Sequence, residues 1–315
     1  MVTTEPAAIG RVCVAGGGVM GLGILRSFAV AGFECWLMGR DPAAPKPGLP
    51  PGVRRHGLDP RGLPAPDLLI ESIPEDLALK QEFLDRVEAA WGDRAILASN
   101  TSVLPLQAIA DARANPARFC GLHYMQPAET FPFAELIAVR QTDPAVLAAV
   151  EAALARTGKQ ALRLAKPIPG ALINRLQHAM ANEAYWMVAE GAVDIATVDL
   201  VVRRLLAPRM CVTGLVEQKD LSGLGVHAAS QGGLVPLLHH EGRAADWMLD
   251  LPRRGETGAD AGLGFYDWRD ADVAAYRAFA ARNVARMLAL QAEIEAEHSA
   301  AAPKPRRHGT SITVS

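Results

Sequence analysis

Cysteine is scarce in this sequence, and charge of neither sign dominates it. Four cysteines, Cys13, Cys35, Cys120 and Cys211, stand far apart with no CxxC pair. That spacing gives no sign of a disulfide framework or a zinc ligand set, so no metal is expected. The residues read as reduced thiols, the first three on buried strands. Thirty-two Lys and Arg stand against 34 Asp and Glu, a formal net charge of −2. There is thus no electrostatic reason to expect a nucleic-acid partner. Uninterrupted apolar runs long enough to cross a bilayer are missing, as are the basic and apolar regions of a signal peptide in the opening MVTTEPAAIGRVCVAGGG. The expectation is a cytoplasmic chain with no membrane partner. No internal repeat is visible.

What is present is ordinary globular material, half of it apolar in 315 residues, enough for two domains with cores of their own. Short apolar runs alternate with helical patterns through the first half, as in a doubly wound α/β sheet. The predicted strands are RVCVAG, ECWLM, DLLIESI, AILAS, FCGLHY, ELIAVR and QALRL. Helices are expected over 76–91, where Phe83, Leu84, Val87 and Trp91 share one face, and over 144–157. After Pro169 the strand signals stop and long helices follow, beginning with GALINRLQHAMANEAYWMVAEG. The expected fold is an N-terminal Rossmann sheet, residues 1–168, followed by an all-helical substrate and dimerisation domain, 169–300. Residues 301–315 read as a disordered tail. His239 and His240 project apart if the segment is helical, which disfavours a metal pair there.

VAGGGVMGLG places Gly16, Gly18 and Gly21 in GxGxxG order between a strand and a helix. The first glycine permits the tight turn, the second lets backbone approach a pyrophosphate, and the third lets helix and strand pack closely. The helix N-terminus faces the phosphate charge. With Val19 and Met20 between them, these glycines are the expected dinucleotide loop. The next strand ends in MGRDP, where an acidic side chain would accept from the adenosine ribose and repel a 2′-phosphate. Gly39 removes that repulsion, and Arg40 offers a planar fork of donors. This favours NADP(H) over NAD(H). The alternative is a surface loop in which Asp41 takes the ribose role.

GLHYMQPAETFPFAELIAV carries the most specific chemistry. His123 ends an apolar strand, at the rim where open α/β sheets bind ligands. Glu135 stands among apolar neighbours and needs a partner, because an unpaired buried charge is costly. An imidazole oriented by a carboxylate can take a proton from a hydroxyl and return it to a carbonyl. On the residues alone, a structural core histidine is an equal reading.

GGGVMGLGI, ESIPEDLALKQ, ASNTS, GLHYMQP, AELI, PGALINRLQ, DLSGLG and GFYDW together span about residues 10–268. In this the chain resembles the L-3-hydroxyacyl-CoA dehydrogenase family, which includes gulonate dehydrogenase, λ-crystallin and some polyketide ketoreductases. The resemblance implies His123 as catalytic acid/base and Glu135 as its orienting carboxylate. It further implies Ser102 on the substrate oxygen, Asn174 against the reacting groups, and Glu75, Lys80 and Gln126 beside the cofactor. Without it, Ser102, Asn174 and the Glu75/Lys80 pair read as a turn hydroxyl, a helix-packing amide and a solvated charge pair. Gln126 departs from the family's Asn, and Glu256 from its basic residue, where ADAGL also lengthens the loop. Residues 42–66 are too rich in Pro and Gly for the helical hairpin that holds the adenine end of CoA in the family. The expectation is a ketoreductase acting on a small or carrier-protein-bound 3-oxo substrate, as a homodimer. Two alternatives are an NAD-dependent dehydrogenase of 3-hydroxyacyl-CoA or a small 3-hydroxy acid, and a non-catalytic structural or binding homologue.

Overall fold

Leu68–Glu71, Ile96–Ser99 and Phe119–Tyr124 are buried at every residue, as befits strands covered on both faces. The computed structural model describes residues 8–301 of the chain. Its strands are β1 (Arg11–Ala15), β2 (Glu34–Met38), β3 (Arg54–His56), β4 (Leu68–Glu71), β5 (Ile96–Ser99), β6 (Phe119–Tyr124), β7 (Phe133–Ile137) and β8 (Gln160–Leu164). They form one sheet in the order β3-β2-β1-β4-β5-β6-β7-β8. All neighbouring pairs are parallel except β6 and β7. The strand order reverses beside β1, the switch point at which doubly wound sheets bind ligands beyond the strands' C-terminal ends.

Alternating side chains build a core on each face. On one face Val12, Val14, Leu68 and Ile70 pack with Ile24, Leu25 and Phe28 of α1 (Val19–Val30). Val146, Val150 and Leu154 of α4 (Pro144–Arg156) join the same cluster. On the other face Cys13, Trp36, Leu69 and Leu97 meet Phe83, Leu84, Val87 and Trp91 of α2 (Leu77–Trp91), with Ile109 of α3 (Leu106–Asp111). Burial pushes the thiols of Cys35 and Cys120 up to about 12, which keeps them inert.

The sequence reading misses β3, whose three residues are too few and too basic for a strand signal. Arg54 lies 5.7 Å over the Trp36 ring and ion-pairs with Glu34. These charges suit an edge strand, where they discourage further pairing. Strand β7 begins and ends earlier than ELIAVR suggests. It stops at Ile137, and the chain turns where the Thr142 hydroxyl accepts from the Val139 N–H.

The chain resolves into two compact units, Met1–Gln177 and His178–Ser315. The division between these units falls inside α5 (Ile173–Ala189). The first turn of α5 belongs with the sheet because the Leu172 and Ile173 N–H groups donate to Glu135 on β7. The second unit is helical and runs from the rest of α5 and α6 (Ile195–Val201) to a long helix, Val273–Ala301. Tyr185, Trp247 and Phe265 cluster within it, with ring centroids 5.4–5.8 Å apart. Tyr276, Phe279, Val284, Met287 and Leu290 of the long helix are all exposed. The expectation for the tail lies, from residue 302 on, outside the described residues. His239 and His240 follow a short 3₁₀ turn rather than lying on a helix. The His239 ring stacks on Trp186 and the residue's backbone N–H donates to Glu183, while the His240 ring pairs with the Val235 carbonyl.

Candidate active site

The glycine-rich turn after β1 is built as its spacing requires. Gly16 has φ +117°, and a Cβ there would stand 2.2 Å from the Ser72 carbonyl oxygen at the end of β4. A Cβ at Gly21 would stand 1.9 Å from the Gly16 oxygen, so only glycine lets α1 lie this close to the turn. At Gly18 a Cβ would meet nothing within 4 Å. Gly18 caps α1 without a side-chain hydrogen bond, and Val19 is 71% exposed just beyond it. Open N–H groups at the start of a 12-residue helix, beside a glycine that leaves room, fit a dinucleotide pyrophosphate. Met20 turns inward and packs against the core.

At the tip of β2 the Gly39 N–H donates to the His56 carbonyl, and a Cβ on Gly39 would meet nothing within 4 Å. Arg40 is exposed and has no hydrogen-bond partner among the described residues. Asp41 is occupied: its Oδ1 accepts from the Ala43 and Ala44 N–H groups at 2.9 and 3.1 Å. Lys46, which sequence reading passes over, donates from Nζ to the Gly17 carbonyl at 3.1 Å.

His123 and Glu135 face each other in the antiparallel β6–β7 register. Their contact is 2.7 Å between Nδ1 and Oε2, and the Glu135 side chain is fully buried. Its other oxygen accepts from the Leu172 and Ile173 N–H groups at 2.8 and 3.0 Å, at the start of α5. Burial opposes ionisation of Glu135. The hydrogen bonds from His123, Ile173 and Leu172 outweigh it and hold the carboxyl below the usual carboxylate range. With Nδ1 donating to this carboxylate, Nε2 is left as the lone-pair nitrogen. The imidazole is therefore oriented by a fixed anion and can exchange a proton at Nε2.

A second polar cluster lies at the ends of β4 and β5. Lys80, only 1% exposed, sits 2.7 Å from Glu71 and 3.2 Å from Glu75. The Ser99 hydroxyl donates to Glu71 as well. Burial pushes the Glu71 carboxyl up against the pull of Lys80 and Ser99. Glu75 in turn accepts from the Thr101 hydroxyl, the Ser102 N–H and hydroxyl, and the Val103 N–H. Burial opposes its ionisation too, and these donors with Lys80 keep it below the usual range.

Lys80 is thus a buried cation held by both Glu71 and Glu75, not a solvated one. The Ser102 hydroxyl donates to Glu75, so its lone pairs are what it can offer a substrate hydroxyl. Asn174 is half-buried in the first turn of α5 and has no hydrogen-bond partner among the described residues; Gln126 is exposed after β6. Glu71 and Asn100 escaped sequence reading. The Asn100 carbonyl oxygen accepts from the Tyr124 N–H and its amide donates to Ser72, tying the ends of β4, β5 and β6 together. The signal available for it was an Asn directly after a strand, in ASNTS.

Comparison with known proteins matches two consecutive family models. Residues 59–167 match the NAD-binding domain of 3-hydroxyacyl-CoA dehydrogenase, and 170–268 match its C-terminal domain. The chain is similar to 5-formyl-3-hydroxy-2-methylpyridine 4-carboxylate 5-dehydrogenase of Mesorhizobium japonicum, 26% identical over 69% of this chain and 71% of that one. It is 31% identical to the fatty acid oxidation complex subunit alpha of Shewanella halifaxensis over 59% of its own length, but spans only 30% of that protein. The crystal structure of a 5-formyl-3-hydroxy-2-methylpyridine 4-carboxylic acid 5-dehydrogenase shares the fold, with TM-score 0.81 at 24% identity over 90% of this chain and 98% of that one.

Proposed function

The chain belongs to the 3-hydroxyacyl-CoA dehydrogenase family of nicotinamide-dependent oxidoreductases, and from that premise we propose that it interconverts a 3-hydroxy and a 3-oxo compound, working as a ketoreductase on a small or carrier-protein-bound substrate. The observation that carries this reading is the buried His123–Glu135 pair, whose free imidazole nitrogen can serve a reacting oxygen. A bound nicotinamide supplies or accepts the hydride. His123 gives its Nε2 proton to the substrate oxygen during reduction and takes it back during oxidation. Glu135, pinned by two amide N–H groups, stabilises the imidazolium and fixes which nitrogen reacts. The Ser102 lone pairs, left by its hydrogen bond to Glu75, accept from the substrate hydroxyl, and Asn174 borders the reacting groups.

NADP(H) is the proposed cofactor, because Gly39 leaves space and Arg40 leaves its guanidinium uncommitted while Asp41 is spent on its own turn. The case against a CoA ester rests on residues 42–66. They hold no helix, only turns and the short β3, so the 3′-phospho-ADP of CoA has no helical platform there. A second reading, an NAD-dependent dehydrogenase of a small aromatic substrate, draws support from the relative that acts on a pyridine carboxylate.

The test is a panel of 3-oxo compounds assayed with both cofactors, including acetoacetyl-CoA and its carrier-protein and pantetheine thioesters. His123→Gln should cut turnover by about 10²–10⁴ while sparing cofactor binding, the usual scale for a lost acid–base group. Near-normal turnover by that variant would remove His123 from the mechanism. Efficient, saturable use of the CoA ester with poor use of the pantetheine thioester would overturn the substrate class.

A further inference from the structure

Residues 41–48 form a strap folded back beside the glycine-rich turn, and its single ammonium is aimed at that turn. We propose that Lys46 is a specificity-determining residue that, with Arg40, holds the 2′-phosphate of the dinucleotide. The inference rests on the NADP(H) reading above and adds a cation that lies outside both GxGxxG and the tip of β2.

The strap is held from several sides. Asp41 closes its first turn through the Ala43 and Ala44 N–H groups. Arg55 of β3 donates to the Ala44 carbonyl at 2.8 Å. Arg26 of α1 donates to the Gly48 and Pro47 carbonyls at 2.7 and 3.1 Å, with its remaining nitrogen on Glu129 at 2.7 Å. Gly48 has φ +73°, and a side chain there would come within 2.7 Å of that guanidinium. Pro45 and Pro47 flank Lys46, so the backbone on either side is already restricted before any ligand arrives.

Where the ammonium lies decides what it can read. A Cβ built on Gly17 would stand 3.0 Å from Lys46 Nζ and 3.7 Å from the Leu37 side chain of β2. Lys46 is therefore on the β2 side of the turn, the side on which this fold reads the ribose 2′-position. It is not at the α1 N-terminus, where Gly18 faces open space and the pyrophosphate is expected. The Gly17 carbonyl takes one N–H of an ammonium that has three, and no carboxylate pairs with Lys46 among the described residues. Two donors and a full charge remain for an anion. Arg40 supplies a second cation from the end of the same strand, with no partner among the described residues.

Direct binding tests this without turnover. Dissociation constants for NADPH and NADH are measured by titration calorimetry, with 2′,5′-ADP and 5′-AMP as probes that differ at the 2′-position. The unmodified protein should bind NADPH and 2′,5′-ADP the more tightly. Lys46→Met should weaken NADPH and 2′,5′-ADP by about tenfold, 1.4 kcal/mol, and leave NADH and 5′-AMP within about twofold. Lys46→Arg should keep most of the preference, and adding Arg40→Ala to Lys46→Met should abolish it. Equal loss for both nucleotide pairs would make Lys46 a pyrophosphate or folding residue. An unchanged ratio in Lys46→Met, with the unmodified protein still preferring NADPH, would refute Lys46 alone and leave the cofactor reading standing. If the unmodified protein binds NADH as well as NADPH, or neither, the cofactor reading fails and Lys46 fails with it.

Discussion

Glu135→Gln asks whether the carboxylate orients His123 or merely packs against it. Two of the three bonds to Glu135 come from backbone N–H groups that cannot reverse, those of Leu172 and Ile173 on Oε1. A glutamine must leave its carbonyl oxygen there, which turns its NH₂ toward His123 Nδ1. That nitrogen then has to accept instead of donate, and the proton moves to Nε2. The base needed for alcohol oxidation is lost, and the charge that stabilises the imidazolium goes with it. No water can substitute, since the Glu135 side chain is fully buried. Inverting the tautomer in a comparable His–carboxylate pair costs about 10⁴ in turnover, and general acid–base catalysis spans about 10²–10⁴. We expect a loss within that range in both directions, with nucleotide binding intact.

The stability cost should be about 1–3 kcal/mol, that of exchanging charge-assisted hydrogen bonds for neutral ones. Its pH dependence follows from the depressed pKa of Glu135. The carboxylate's contribution is full above its unfolded value of about 4.3 and is lost as pH falls through the lower folded value. Melting curves of the two proteins should therefore differ most near neutrality and converge in acid. Nitrogen NMR of His123 reads the tautomer directly. A variant that keeps near-normal turnover, or keeps its proton on Nδ1, would refute the argument.

Two further substitutions test the scaffold beneath the site. Lys80→Met strands the buried Glu71 carboxylate and should destabilise the chain by about 3–5 kcal/mol in chemical denaturation, while Glu71→Leu combined with it should recover most of that; additive losses would show the pair to be independent. Gly21→Ala, whose Cβ would stand 1.9 Å from the Gly16 oxygen, should lower the melting temperature, whereas Gly18→Ala, facing open space, should leave the melt unchanged and weaken nucleotide binding. Equal melts for the two would contradict the geometry of the turn.

Sequence and structure agree most closely where periodicity and spacing are local. The buried strands announce themselves because side chains covered on both faces are mostly apolar, and GxGxxG because the turn physically excludes side chains at Gly16 and Gly21. Glu135 was legible for a related reason: a carboxylate among apolar neighbours demands a partner. What spacing could not say is that β7 runs antiparallel to β6, which sets Glu135 opposite His123 with no helix between them. Nor could it place the N-terminus of α5 on the second carboxylate oxygen, a contact between residues 37 and 38 positions apart in sequence.

The Glu75–Lys80 spacing picked out a pair that stands 3.2 Å apart, but it gave no sign of Glu71, the buried anion on the preceding strand that also holds Lys80. The strap is the clearest case of a feature without a signature. Its contacts run from the side chains of Arg26, Lys46 and Arg55 to backbone carbonyls, and a carbonyl accepts equally well from any residue type. Composition says only that a Pro/Gly-rich stretch is not a helix. Yet those same prolines restrict the backbone on both sides of Lys46, so the residues that made residues 42–66 read as a mere gap are the ones that set an ammonium beside the glycine-rich turn.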